Sequence, residues 1–176
     1  LNTDYIDLYQ LHWPSRNAPI FGQKEFNPGL EHDSVAIEAT LDVLDSLVKE
    51  GKIRHIGVSN ETPWGVSEFI KQAERKQQTR IISIQIPYLL MNRSYEQGLT
   101  ETCYREHVGL LAYSPLAFGR LTGKYVDDAQ AKGRLTKFPP TWSPRYMRPE
   151  VITTSARYAA LARAHGLSPT QLALAW

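Results

Sequence analysis

An α/β fold, a parallel sheet covered by helices and forming part of a (β/α)8 barrel, is predicted by three observations. Four short segments rich in β-branched, aliphatic and aromatic residues alternate with longer segments of helical periodicity, and no two are spaced as a hairpin. Only four such segments occur in 176 residues, whereas a closed barrel uses eight strands and roughly 250 residues. The final stretch, QLALAW, is still helical at Trp176, with no capping Gly, no Pro and no strand after it. A single partial barrel domain over residues 1–176, truncated at both ends, is therefore expected, with two unpaired sheet edges and an uncovered interior.

The first strand covers residues 5–12 (YIDLYQLH) and is followed directly by an insertion over 15–33. A helix then opens near Asp33 or Ser34, places Ile37, Leu41, Leu44 and Val48 on one stripe, and stops at Gly51, where a residue without Cβ takes the left-handed cap. The second strand, 53–60 (IRHIGVSN), leads into a helix capped by Thr62, with Pro63 at its first position and Val66, Phe69, Ile70 and Ala73 on its buried stripe. The third strand is 81–88 (IISIQIPY), and Ser94 with Gln97 has the spacing of a capping box that starts a third helix. The fourth strand is 110–114 (LLAYS). A helix over 151–165 closes at Gly166, and Ser168 with Gln171 repeats the capping box.

Composition removes several classes. With 42% hydrophobic, 22% charged and 10% aromatic residues the chain reads as an ordinary globular protein. A formal charge of +2 gives no global reason to expect nucleic acid or an anionic membrane as partner. No apolar run approaches the roughly 18 residues of a membrane span, and no basic, apolar leader stands at the front. Cys103 is the only cysteine, which excludes an intramolecular disulfide and a Cys-rich metal site; in its helical context it reads as a small core residue. His12, His32, His55, His107 and His165 lack ligand spacing, so no metal is expected, and a reducing, cytoplasmic setting is.

In a parallel barrel, reactive groups collect at the C-terminal ends of the strands. There the first strand carries Gln10, His12 and Trp13, the second Ser59 and Asn60, the third Gln85 and Tyr88, and the fourth Tyr113 and Ser114. Each alone has a plain reading, since strand ends are wet and Ser or Asn often only caps the next helix. Four strands ending alike point to a site. The imidazole of His12 can donate a hydrogen bond to a substrate oxygen. Tyr113 offers a face to a flat ring, and Asn60 and Gln85 carry the paired donor and acceptor that suit a carboxamide, a combination that points to nicotinamide. Gly119, Gly123 and Lys124 in LAFGRLTGKY miss the Walker spacing, yet a phosphate-binding turn of backbone N–H groups with Lys124 is open to them. Residues 120–148 hold seven Lys and Arg against two Asp, with many prolines and aromatics. An ordered flap over an anionic cofactor accounts for both features; the alternatives are a solvated loop or a nucleic-acid contact, the latter without a recognition helix or RNA-binding motif.

The stretches DYIDLYQLHWP, GKIRHIGVSN, IQIPYLLMNRS, LLAYSPLAFGRLTGKY and SPTQLALAW, in this order over nearly the whole chain, resemble successive signatures of the aldo-keto reductase superfamily. The resemblance is greatest to its Tas-like bacterial branch, related to the potassium-channel β subunits. It implies a partial TIM (β/α)8 barrel covering about strands 4 to 7, which binds NADP(H) at its C-terminal face and reduces aldehyde or ketone carbonyls to alcohols by hydride transfer. It makes His12 the catalytic histidine that orients the carbonyl, and places the Asp, Tyr and Lys of the family's tetrad ahead of Leu1. It further implies that Tyr113 stacks on the nicotinamide, that Ser59, Asn60 and Gln85 hold its carboxamide, and that Ser114, Pro115, Leu116, Gly119 and Lys124 line the pyrophosphate and ribose. Arg134 would be a phosphate ligand from the loop, and Trp13 with the 15–33 insertion would shape the substrate pocket.

Two departures stand out. Glu61 follows Asn60 where many members carry an aromatic residue. The family's grip on the adenosine 2′-phosphate would follow Trp176, so preference for NADP(H) over NAD(H) comes from the family, helped by Lys124 and Arg134. The expected partner is a small carbonyl compound, with neither nucleic acid nor membrane, and the chain alone is expected to be inactive. The alternative is a nicotinamide-cofactor-binding regulatory or interaction subunit with little or no catalysis, distinguished by whether the upstream Asp, Tyr and Lys are present.

Overall fold

The computed structural model describes residues 2–23 and 25–176, and of Trp142 the backbone only. Strands β1 (Ile6–Leu11), β2 (Ile53–Ser59), β3 (Ile81–Pro87) and β4 (Gly109–Tyr113) form one sheet in chain order. β2 pairs in parallel with both β1 and β3. Helices α1 (Ile37–Lys49) and α2 (Pro63–Lys76) supply the crossovers, burying Leu41 and Leu44 on the first and Val66, Phe69, Ile70 and Ala73 on the second. Ile56, Val58 and Ile84 of the sheet are buried completely. The edge strands remain partly bare: Ile6 and Tyr9 on β1 and Leu111 on β4 are exposed apolar residues, as an open sheet requires.

Opposed residues of a parallel pair share a face. The register Gln10, Gly57, Ser83 and, one step on, Ser59 with Gln85 therefore lays a polar stripe along one face of the sheet. Gly57 suits that stripe, because a Cβ there would force the Ser83 hydroxyl to turn away and press on the Ser83 carbonyl oxygen.

Local signals hold where their partners are near in sequence. Thr62 Oγ1 accepts the Gly65 N–H at 3.1 Å with Pro63 behind it, and Gly51, with φ of +73°, ends α1. Two helix starts differ from expectation. α1 opens at Ile37 because the chain stays extended through Ala36, where Ser15 Oγ takes the Val35 N–H at 3.2 Å. The N–H and hydroxyl of Ser94 both donate to Asn92 Oδ1, at 3.3 and 2.9 Å, so residues 94–96 make only a 3-10 turn. Gly98, with φ of +91°, then breaks the chain before α3 (Leu99–Arg105).

The chain divides into two compact units: residues up to 86 with 95–111, and residues 87–94 with 112–176. The second follows β4 with a 3-10 stretch over 117–122, kinked through left-handed Phe118 and Gly119. Three one-turn helices come next, α4 (Lys124–Asp127), α5 (Arg134–Lys137) and α6 (Pro144–Met147). α7 (Pro149–Ala164) and α8 (Pro169–Ala175) end the unit, the latter capped by the reciprocal Ser168 and Gln171 bonds of 2.8 and 3.2 Å. Its core joins Leu89, Ala117, Leu121, Leu135, Tyr146 and Ala173. Among the described residues no helix is long and apolar enough to cross a membrane.

Candidate active site

In the first unit the polar stripe ends in a bonded cluster. His12 follows β1 with its imidazole exposed, Trp13 is tilted against it with ring centroids 4.2 Å apart, and Phe21 meets Trp13 edge-on at 5.8 Å. Ser59, the last residue of β2, donates its hydroxyl to the Gln85 carbonyl at 2.8 Å. Asn60 takes the left-handed conformation, φ +56°, which Asn tolerates better than most side chains. That turn sends Nδ2 to the His12 carbonyl at 2.8 Å and to Ser59 Oγ at 3.1 Å, while the Asn60 N–H donates to the Gln85 carbonyl at 3.0 Å. One asparagine therefore ties the ends of β1, β2 and β3. The structure brings His12, Ser59, Asn60 and Gln85 together in this way, with Ser59 and Asn60 buried and Gln85 half-buried.

Beside this cluster lies a pair that the sequence does not announce. The Glu61 carboxylate, 4% exposed, accepts both terminal nitrogens of Arg16, at 2.9 and 2.7 Å, and the Thr62 N–H at 3.1 Å. Arg16 also donates to Thr62 Oγ1 at 3.2 Å and lies 4.8 Å above the Trp64 ring. Cavities of about 360 and 800 Å³ adjoin the pair, and Arg16, Ser34 and Trp64 line both. The one trace in the sequence is the unusual Glu61; its partner is 45 residues away, beyond any periodic signal.

In the second unit Tyr113 ends β4 half-buried, and Ser114, Ala117, Phe118, Gly119 and Gly123 all have positive φ, so residues 114–123 wind tightly past Pro115 and Leu116. Lys124 Nζ donates to the Lys132 carbonyl at 3.3 Å and lies 4.9 Å from the Tyr125 ring centre. Arg134 stacks 3.8 Å above the Phe118 ring centre. Arg120, 8% exposed, gives Nε to the Tyr146 carbonyl at 3.0 Å and Nη2 to Met147 Sδ at 3.4 Å, and burial pushes its guanidinium down from the ordinary value. Burial likewise pushes up the phenol of Tyr146, whose hydroxyl lacks a well-formed hydrogen bond among the described residues. Of the two acids in 120–148, Asp127 is held by Arg163 and Asp128 accepts the Gln130 N–H. A buried guanidinium bonded to uncharged acceptors and a local cation excess fit an anionic ligand.

Among the described residues no group of three or more His, Cys, Asp or Glu is placed to hold a metal ion. The Cys103 thiol is buried and its pKa raised by that burial, which suits packing and not nucleophilic attack.

The arrangement can therefore hold a polar amide or carbonyl at the strand ends and an anion at the loop. The sequence model of the Aldo/keto reductase family matches residues 1–176. The chain belongs to that family. Within the family, the protein Tas of Escherichia coli is 46% identical over the whole of this chain and 51% of Tas. The NADH-specific methylglyoxal reductase of the same organism is 32% identical, again over the whole chain and 47% of that enzyme. Among solved structures, a glycerol dehydrogenase of Gluconobacter oxydans matches with a TM-score of 0.71 at 25% identity, over 99% of this chain and 46% of that one. The chain spans about half the length of these relatives. Its α/β fold is that of a partial TIM (β/α)8 barrel of the aldo/keto reductase type, as the strand count and motifs predict.

Proposed function

We propose that the protein carrying this chain is an oxidoreductase that reduces aldehyde or ketone carbonyls to alcohols with NADP(H). The observation that carries the reading is the bonded cluster in which Asn60 fixes the His12 carbonyl at 2.8 Å, so that an exposed imidazole stands at strand ends lined by amide and hydroxyl groups. Family membership supports the reaction class. A reduced nicotinamide, when bound, supplies the hydride.

His12 donates a hydrogen bond to the substrate oxygen and so orients and polarises the carbonyl. Ser59, Asn60 and Gln85 hold the carboxamide of the cofactor, and Tyr113 gives its ring to the nicotinamide face. Ser114, Pro115, Leu116 and Gly119 line the pyrophosphate and ribose, with Lys124 and Arg134 as the charged contacts. Trp13 bounds the substrate side. Preference for NADP(H) comes from the family, helped by Lys124 and Arg134, and a relative described as NADH-specific makes it the point to measure.

In the full-length protein, His12→Ala is expected to lower carbonyl turnover about 100-fold, in the range of a lost general acid or hydrogen-bond donor, while NADPH affinity by fluorescence quenching stays the same. Unchanged turnover would overturn the role of His12. Tyr113→Ala is expected to weaken NADPH binding about tenfold, the value of one lost aromatic stack; equal affinity would refute the stacking role.

A further inference from the structure

Deepening that reading, and resting on it for the identity of the site, we infer that Arg16 and Glu61 are a positioning pair that fixes the start of the 15–33 segment as a wall of the carbonyl pocket and governs which carbonyls are admitted. Two bonds close a circuit between the segment after β1 and the end of β2. Residue 12 is tied to Asn60 through its carbonyl, and residue 16 is tied to the next residue, Glu61, through a bidentate guanidinium–carboxylate bond. Residues 13–15 are thus a bridge clamped at both ends. Trp13 projects from the bridge, half exposed, with His12 on one side and Phe21 on the other. Ser15 on the same bridge accepts the Val35 N–H, so the far end of the insertion returns to the clamp as well.

The surroundings are fitted to the pair. Thr62 gives an N–H to Glu61 and takes a hydrogen bond from Arg16, and Trp64 lies under the guanidinium. Gly65 must lack a side chain, since a Cβ there would overlap the Glu61 carboxylate and the Arg16 guanidinium. A pair this buried repays its desolvation poorly compared with apolar residues of similar size, so its distinctive product is geometry. Arg supplies that geometry through a planar fork that Lys lacks. Both cavities are walled by Arg16 and Trp64; Trp13 lines the smaller and Phe26 the larger. On this reading a carbonyl compound with an aromatic body extends from His12 past Trp13 onto this segment, whereas a three-carbon carbonyl is too short to depend on it.

The test uses the full-length protein with 4-nitrobenzaldehyde as the large substrate and methylglyoxal as the small one. Glu61→Gln is expected to raise KM for the aromatic aldehyde about tenfold, the size of effect a sub-ångström misplacement produces. Its kcat and its NADPH affinity should stay within about twofold, and KM for methylglyoxal should change far less. Arg16→Lys, which keeps the charge and loses the fork, should fall between wild type and Glu61→Gln. The double variant Arg16→Met with Glu61→Leu removes both charges at similar volume, so it should fold with a thermal midpoint near that of wild type and still show the raised aromatic KM. Wild-type KM values in that folded double variant, or a parallel loss of NADPH affinity in Glu61→Gln, would overturn the inference. A wild-type protein that binds NADPH but reduces neither aldehyde would defeat the proposed reductase function and this inference with it. That result is distinct from an active wild type with unaltered variants.

Discussion

The cations of the two compact units keep different company. In the first, Arg16 meets Glu61, Arg54 meets Asp7, Lys76 meets Glu38 and Asp42, and Arg80 meets Glu74 and Glu106. In the second, Arg120 and Lys124 lie against the ring of Tyr125, Arg134 over Phe118 and Arg145 over Tyr146. A carboxylate cancels the charge it binds. A ring attracts a cation through its quadrupole, worth about 0.5–2 kcal/mol, and leaves the charge in place. The division is one of emphasis, since Arg54 also lies over Tyr5 in the first unit and Arg163 binds Asp127 in the second. That difference favours the proposed placement of an anion at the loop and of positioning work at the strand ends.

The largest expected effect probes the two units with the same substitution. Gly65→Ala drives a methyl group into the buried Arg16–Glu61 pair. The gain in helix propensity of about 1 kcal/mol is outweighed by overpacking and a weakened buried ion pair, together about 3 kcal/mol. A net loss of about 2 kcal/mol is expected in urea denaturation. Gly133→Ala meets only the far ends of Lys124 and Tyr125, and its φ of 170° suits any residue. Lys124 can swing aside, so the stability change should stay within about 0.5 kcal/mol, while NADPH affinity drops about fivefold as the ammonium moves. Equal stability losses at the two glycines would dissolve the distinction between clamped and ring-held cations.

How much of this was legible follows the reach of each signal. Strand limits fell within a residue or two of expectation because apolar runs such as IISIQIPY are continuous and local, and the Thr62 and Ser168 caps held because their partners are three residues away. Ser94 misled because Asn92, two residues earlier, competes for the same donors. The start of α1 misled because Ser15, 20 residues earlier, occupies the Val35 N–H. At the site, the rule that chemistry collects at strand ends was enough to gather His12, Ser59, Asn60 and Gln85. It could not supply the left-handed turn of Asn60 or the bond from Arg16 to Glu61, which depend on chain segments more than 40 residues apart. The charge excess of 120–148 is visible in composition, but the rings that carry those charges are a tertiary choice.

The smallest expected effect separates the same two kinds of cation by pH. Lys76 on α2 donates to Asp42 and bridges to Glu38, both on α1, each at 2.8 Å, and these bonds from Lys76 are the main reason that both carboxyls titrate below their ordinary values. A carboxyl whose folded pKa is lowered contributes its full stabilisation above the unfolded value, near 4, and loses it as pH falls through the folded value. The groups are solvent-screened, so Lys76→Met should lower the thermal midpoint only slightly at pH 7. As pH falls through the lowered folded values, the difference between wild type and variant should shrink and then vanish. Lys124→Met removes a cation from an aromatic ring and not from a carboxylate. Whatever small shift it produces at pH 7 should therefore persist at pH 3, and a Lys124 effect that vanished on acidification would mean that a carboxylate, not Tyr125, holds that lysine in solution.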